Sequence, residues 1–441
     1  MNTQAGEADQ SQITLARAYA AQQRIGEAEA AYRNVLRTAP DTPEALNFVA
    51  MCALSRRDFA PAQRDLERAA ELNPGEPEIW KNFGIMYLAQ KQGFSALHAF
   101  DRALDLQPAH FAARLLRGNA LEQMGRIDEA AKAYFGAIAA AQSSGEWLDD
   151  RTTAPALRPA VRHAINVVDT HRARIFMALL EPLHEKHGAH ALRRIVAGLE
   201  IYLDHRPAHY PPHQYCKFFY VPDLPNPLYY DRSLFPWYAE VEAHTDEIRA
   251  ELLAVMRDPD GVEPFLGTND NDVLAEQKLL NGTRGHAEWN SFFFHRHGKR
   301  YAKNANRCPR TMELLDKTSV EYIRDHAPEA LFSILSPGAH ILKHHGVTNA
   351  RLVTHLPLIV PDDTAISVAG EDYHWQEGRF ISFDDTYLHE SWNDSTKVRA
   401  NLMFDVWHPD LSAAEREAMA LLVGGIGDFN KAAGVGAPPA S

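Results

Sequence analysis

Two histidines and an arginine stand at the edges of apolar runs in the last quarter of the chain: His344, His389 and, ten residues further on, Arg399. A neutral imidazole binds a transition metal through one ring nitrogen, and an arginine presents a planar, permanently charged fork of donors that meets a carboxylate bidentately. Together they fit an iron site with an anionic co-substrate held beside it. Non-heme Fe(II) oxygenases use two His and usually one carboxylate on one face of the metal and leave the remaining positions open. In the commonest arrangement the carboxylate lies two residues beyond the first His. That place is Gly346 here, or Val347 if His345 is the first ligand, so the ordinary triad is absent. His345 is the competitor for the first metal position. Asp384, Asp385 and Glu390 flank His389, but turn capping and hydrogen bonds behind the ligands suit them better than ligation. His340 and His374 read as structural or surface residues.

Such side chains need a rigid frame. Between Phe332 and Trp407, short runs of Ile, Leu, Val and Phe alternate with Pro-Gly, Pro-Asp-Asp, Ala-Gly-Glu-Asp and Glu-Gly breakers, the pattern of a compact all-β unit. A jelly-roll barrel, or double-stranded β-helix, gathers strand ends around an open mouth, where residues distant in sequence converge.

The first third of the chain is organised differently. Pro40, Pro74 and Pro108 recur at a spacing of 34, preceded at fixed offsets by small and aromatic residues: Ala16, Tyr19, Ala28 and Tyr32, then Trp80, Gly84, Tyr87, Ala96, Phe100 and Ala103. A further unit repeats Gly118, Ala130, Tyr134 and Ala137. Paired helices approach closely only where Ala or Gly removes bulk, the aromatics fill the gap between pairs, and Pro stops the second helix. This resembles the tetratricopeptide repeat, with about four units. The fold class expected is therefore α+β and multidomain, a tetratricopeptide-like α-solenoid followed by a jelly-roll domain. Such a solenoid offers a groove for a peptide partner or serves as a rigid arm.

The expected boundaries are a disordered N-terminus over 1–8, repeats over 9–145 and capping and linker helices over 146–205. A catalytic domain follows over 206–425, with its jelly-roll core at about 330–408, and then a flexible tail over 426–441. The Pro- and Tyr-rich stretch HRPAHYPPHQYCKFFYVPDLPNPLYY marks the start of the catalytic domain. Ahead of the β core, His295, Arg296, His297, Lys299, Arg300, Lys303, Arg307 and Arg310 form a local basic cluster. It reads as a solvated loop or as the entrance of a site for an acidic substrate.

Composition bounds the function classes. With 45 basic and 58 acidic residues the net charge is -13, which argues against a nucleic-acid or anionic-membrane binder. Three scattered cysteines, Cys52, Cys216 and Cys308, do not make a disulfide framework. No stretch has the length and apolarity of a membrane span and the N-terminus lacks signal-peptide character, so a cytoplasmic location is expected.

Taken together, His340, His344, Gly346, Thr348, Asn349, Arg351, Leu352 and His355, the FDD at 383–385, the HESW at 389–392, Arg399 and the DVWHP at 405–409 resemble the catalytic domain of the aspartyl/asparaginyl β-hydroxylases. The resemblance covers about 280–410 well and reaches loosely back to Tyr215. It implies Fe(II), 2-oxoglutarate and O₂ as cofactor and co-substrates, with succinate and CO₂ as co-products of hydroxylation at the β-carbon of an Asp or Asn residue in a protein or peptide. It further implies that His344 and His389 bind the iron, that Arg399 and Ser333 hold the distal carboxylate of 2-oxoglutarate, and that His355 lies beside its chelating carboxylate. Arg351 and, more remotely, Arg284 would face the substrate's acid or amide group. Two departures from the vertebrate pattern bear on the substrate: Val353 stands in place of a second arginine, and only Cys308 occurs where a paired-cysteine loop belongs. The rival readings are an oxygenase acting on a lipid acyl chain or small metabolite, and a repeat scaffold without catalysis.

Overall fold

The computed structural model describes residues 2–266, 279–282 and 287–436. These group into two compact units, one of 1–175 with 429–436 and the other of 176–428.

The first unit opens with eight helices in antiparallel pairs: α1 Asn2–Ala21, α2 Ile25–Thr38, α3 Pro43–Ser55, α4 Phe59–Leu72, α5 Pro77–Ala89, α6 Gly93–Leu106, α7 Phe111–Gln123 and α8 Ile127–Ser143. The sequence period becomes a packing rule. A Cβ added at Gly84 would lie 2.3 Å from the Phe100 ring, and one at Gly118 would lie 2.4 Å from the Tyr134 ring. In the two earlier pairs, fully buried Ala16 and Ala50 take the small position, while Tyr32 and Leu66 take the large one. Helices with an aromatic at this crossing therefore need glycine or alanine opposite. Pro43 and Pro77 sit in the first turn of their helices, where no N–H partner is required. Two ends differ from expectation. The first helix begins at Asn2 rather than after residue 8, and the helix Ala413–Ala432 runs into the stretch read as a tail from 426. It does so because Ile426 and Phe429 are buried there.

The second unit is sheet-rich. Its strands are β1 Glu263–Pro264, β2 Leu280–Gly282, β3 Trp289–Arg296, β4 Lys299–Arg300, β5 Ala330–Leu335, β6 Ala339–His344, β7 Arg351–Ile359, β8 Thr364–Val368, β9 Glu371–Tyr373, β10 Ile381–Phe383, β11 His389–Asn393 and β12 Arg399–Trp407. All pairs are antiparallel. One sheet has the order β1-β3-β5-β12-β7-β10 with β4 on β3, and the other has the order β2-β6-β11-β8-β9. Residues of both sheets share small clusters, such as Trp289 and Leu335 with Ala339 and Ile341. Two facing antiparallel sheets of this kind are compatible with a jelly roll.

The larger sheet is buried on both faces, and the alternation of side chains divides its work. Along β12, Ala400, Leu402, Phe404 and Val406 join a core with Ile248, Leu252, Met312 and Leu315 of the covering helices. The intervening Arg399, Met403 and Asp405 line a cavity facing the smaller sheet. Strand β7 divides likewise, with Leu352, Leu356 and Leu358 in the core and Arg351, Val353 and His355 at the cavity. A one-residue slip of either strand would put its charges into the apolar core.

Candidate active site

Antiparallel pairing sets His344, the last residue of β6, directly opposite His389, the first of β11. Cross-strand neighbours of this kind place their side chains within contact distance. The two ring centroids are 4.0 Å apart. The Nδ1–H of His344 donates to the Leu342 carbonyl at 2.8 Å, and that of His389 donates to the Tyr387 carbonyl at 2.9 Å. A ring that donates through Nδ1 keeps the lone pair of Nε2 for a metal. Burial, reinforced by the neighbouring imidazole, pushes the pKa of His344 down to about 3, and burial lowers that of His389 to about 4. Both rings are therefore neutral, as ligation requires. His345 points elsewhere, with its Nδ1 2.8 Å from the Thr386 carbonyl and its ring edge-on to Tyr215.

Gly346 has a specific reason to be glycine. A Cβ built there would lie 2.2 Å from the carboxyl carbon of Asp385. The Asp385 carboxylate thus occupies the space next to the place where the usual oxygenase carboxylate would branch. The backbone fixes this arrangement, with Gly346 N–H donating to the Asp385 carbonyl at 2.7 Å and Lys217 N–H donating to the Gly346 carbonyl at 3.2 Å. Among the described residues no cluster of three His, Cys, Asp or Glu side chains is placed to hold a metal ion.

Arg399, at the start of β12, is 2% exposed and has no carboxylate partner among the described residues. Its Nη1 and Nη2 donate to Ser333 Oγ and Ser391 Oγ at 3.3 Å each, and its Nε–H has no partner. The guanidinium lies 5.0 Å from the centre of the Trp375 ring. Burial alone lowers its pKa, to about 9. An unpaired buried cation is costly, so a pocket that keeps one is shaped for an anion. Trp289 Nε1–H donates to Ser333 Oγ at 3.0 Å and fixes that hydroxyl. His355, buried and held neutral by burial and by the Arg399 charge, is 3.5 Å from Asn401 Nδ2. The donor set therefore fits a metal with a dicarboxylate beside it: two imidazole lone pairs, one reserved guanidinium and two serine hydroxyls.

Arg351 lines the same cavity in a different state. It is 6% exposed and donates through Nη1 to Asp405 and through Nη2 to Asp385 Oδ2, the latter at 3.1 Å. Burial raises the pKa of Asp405 to about 6, with Arg351 opposing the rise. Behind this group lies Glu321, fully buried, with neither carboxyl oxygen bonded and its pKa pushed up to about 8 by burial. It is thus protonated at neutral pH. Asp384 caps its own turn, accepting from Thr386 N–H at 2.9 Å and from Gln214 Nε2 at 2.9 Å.

The cavity thus brings together His344, His389, Ser333, His355, Arg399 and Arg351. Arg284 lies outside the described residues. The basic cluster is dispersed, because Arg296, Lys303, Arg307 and Arg310 each pair with an acid: Glu263, Asp260, Asp258 and Glu247. His297 pairs with Glu329, and His340 pairs with Glu390. Sequence reasoning missed Ser391, Trp375, Glu329 and Glu321. Of these only Ser391 carried a signal, two residues after His389 and so on the same face of its strand.

The profile described as Aspartyl/Asparaginyl beta-hydroxylase matches residues 242–409, and the profile described as Tetratricopeptide repeat matches 13–77 and 95–146. An ornithine lipid ester-linked acyl 2-hydroxylase of Rhizobium tropici is 36% identical over 202 residues, covering 45% of this chain and 67% of that protein. Human aspartate beta-hydroxylase domain-containing protein 2 is 32% identical over 222 residues, covering 49% and 56%. Human aspartyl/asparaginyl beta-hydroxylase is 34% identical over 173 residues, covering 39% and 21%. The chain thus spans only about half the length of the second relative and about a fifth of the third.

Proposed function

The chain belongs to the aspartyl/asparaginyl β-hydroxylase family, and from that premise we propose that it is an Fe(II)- and 2-oxoglutarate-dependent dioxygenase that hydroxylates the β-carbon of an Asp or Asn residue in a protein or peptide. The observation that carries this reading is the buried Arg399 guanidinium, without an acid partner among the described residues, opening on the cavity where His344 and His389 meet.

In this reading His344 and His389 hold the metal through Nε2, each ring fixed by the hydrogen bond from its Nδ1. Arg399, with Ser333 and Ser391, pairs with the distal carboxylate of 2-oxoglutarate, a charge-assisted contact strengthened by the dry surroundings. His355 lies beside the chelating carboxylate, and burial keeps its ring uncharged. The Asp385 carboxylate fills the space beside Gly346, where a carboxylate of the usual triad would branch. Iron and 2-oxoglutarate, when bound, supply O₂ activation and removal of hydrogen from an unactivated carbon, with succinate and CO₂ as co-products. The protein's part is to orient the target carbon and exclude water, which Ile341, Val353, Ile366, Phe383 and Met403 do along the cavity wall. The repeat unit, of a type that binds protein segments, would recruit the substrate.

That apolar wall also supports a second reading, hydroxylation of a lipid acyl chain, the activity for which the Rhizobium tropici relative is named. Incubating the protein with Fe(II), 2-oxoglutarate and either a cell peptide extract or a lipid extract separates the two. Succinate release with a gain of one oxygen on Asp or Asn is the expected outcome. A gain of oxygen on acyl chains alone would favour the second reading, and succinate release from neither extract would contradict both.

A further inference from the structure

The end of the cavity around Arg351 bears on which substrate side chain is accepted, an inference that rests on the oxygenase reading. On β12, Asp405 lies six residues from Arg399, roughly 20 Å along an extended strand. Apart from Arg399, Arg351 is the only Lys or Arg side chain lining the cavity among the described residues. Its charge is already shared between Asp405 and Asp385. The partner of Asp405 across the strand pair is Val353, which adds no cation. Lys217, on the segment crossing Gly346, is within electrostatic reach of Asp385 and of both histidines but is not among the lining residues.

Among the described residues, acceptors by contrast outnumber cations at this end of the cavity. Asp385 Oδ1 is buried without a hydrogen-bond partner. Glu329 also lines the cavity, and its carboxylate takes the His297 backbone N–H at 2.7 Å. A carboxylate arriving here would face two carboxylates across a guanidinium that both already hold, and like charges in a dry site repel strongly. A carboxamide meets the opposite situation. Its N–H₂ finds the unpartnered oxygen of Asp385, and its carbonyl oxygen can take one of the N–H groups that Arg351 has left.

We propose that this end of the cavity selects a carboxamide over a carboxylate, so that an asparagine side chain, and not an aspartate, presents the carbon to be hydroxylated. Arg351 and Asp385 act as the specificity pair, and Asp405 sets the preference by holding the arginine.

The test uses the full chain and three nonapeptide libraries with randomised flanks and a fixed central Asn, Asp or 2,4-diaminobutyrate. Binding is measured calorimetrically without O₂, both with and without Fe(II) and 2-oxoglutarate. The Asn library is expected to bind better than the Asp library by roughly a hundredfold, as when one analogue leaves buried polar groups opposed. Asp405→Asn, which leaves Arg351 with Asp385 as its one charged partner among the described residues, is expected to strengthen Asp binding and narrow the ratio to less than about tenfold. Equal or better binding of Asp by the unaltered protein overturns the proposal. So does a preference for diaminobutyrate, or no binding of any library, or an unchanged ratio in folded Asp405→Asn. If that variant does not fold, the ratio in the unaltered protein decides. Binding of 2-oxoglutarate, read from the same titrations, reports separately on the oxygenase reading, since its failure would remove that reading without altering the Asn to Asp comparison.

Discussion

Arg399 and Arg351 line one cavity and are both buried, yet they are in opposite electrostatic states. Arg351 is held by two carboxylates. Arg399 has two serine hydroxyls, an aromatic face and an unbonded Nε–H. The contrast separates structural from reserved charge. A guanidinium whose partners are already in the chain holds the fold together and shapes a wall, while one left unpaired at a desolvation cost is waiting for an anion from outside.

The sharpest way to break the comparison is to remove each charge in turn. Arg351→Met leaves Asp385 and Asp405 without their cation and is expected to destabilise the fold by roughly 3–5 kcal/mol. Arg399→Met removes an uncompensated charge and is expected to raise the melting temperature of the ligand-free protein. The same variant should weaken 2-oxoglutarate binding by roughly 2–5 kcal/mol. Melting curves of both variants, with and without 2-oxoglutarate, read all three effects, and shifts of the same sign in the ligand-free state would erase the distinction.

A smaller effect is expected at Gly346. Ala there must push the Asp385 carboxylate aside, at a cost of roughly 1–3 kcal/mol, and so disturb the Arg351 end while leaving the Arg399 end intact. Denaturant unfolding should report the loss, while 2-oxoglutarate affinity stays close to that of the unaltered chain.

A pH-dependent effect is expected at Glu321, behind Arg351. It holds its proton in the folded chain up to about pH 8, whereas an unfolded Glu releases it near about pH 4.3. Its contribution to stability is therefore complete below the lower value and is lost as pH rises toward the higher one. Glu321→Gln should flatten the fall in stability between about pH 5 and about pH 8. An identical pH profile in melting experiments would show that the carboxyl is not buried as a neutral group.

Much of this architecture is legible in the chain because its cause is local. The 34-residue period records one contact, Gly84 against Phe100 and Gly118 against Tyr134, so the repeats announce themselves. The strands carrying His344, His389 and Arg399 are bounded by turn residues that fix their ends. What escapes the sequence is pairing set by register. Arg351 lies opposite Trp407 in the ladder, and only that register brings Asp405 to its guanidinium, 54 residues away. From the sequence Arg351 is expected to face the substrate's acid or amide group, and nothing in the sequence shows that its guanidinium is also divided between two acids. The cluster at 295–310 divides for a related reason. Cations adjacent in sequence project from strand, turn and helix toward separate acids, and no basic surface is formed from the four that pair. Glu321 carries no sequence signal, since nothing around it indicates that Val320 will bridge to Val406 and bury its neighbour.

The central claim is that two imidazoles and one unpaired guanidinium make a joint site for iron and a dicarboxylate. An anaerobic titration of the protein with Fe(II) and 2-oxoglutarate, followed by visible absorption, tests it most directly. The weak metal-to-ligand charge-transfer band of such a complex is expected in the unaltered protein, absent in His344→Ala and His389→Ala, and reached only at much higher 2-oxoglutarate in Arg399→Met. A band of undiminished strength in either histidine variant, or an unchanged 2-oxoglutarate requirement in Arg399→Met, would contradict it.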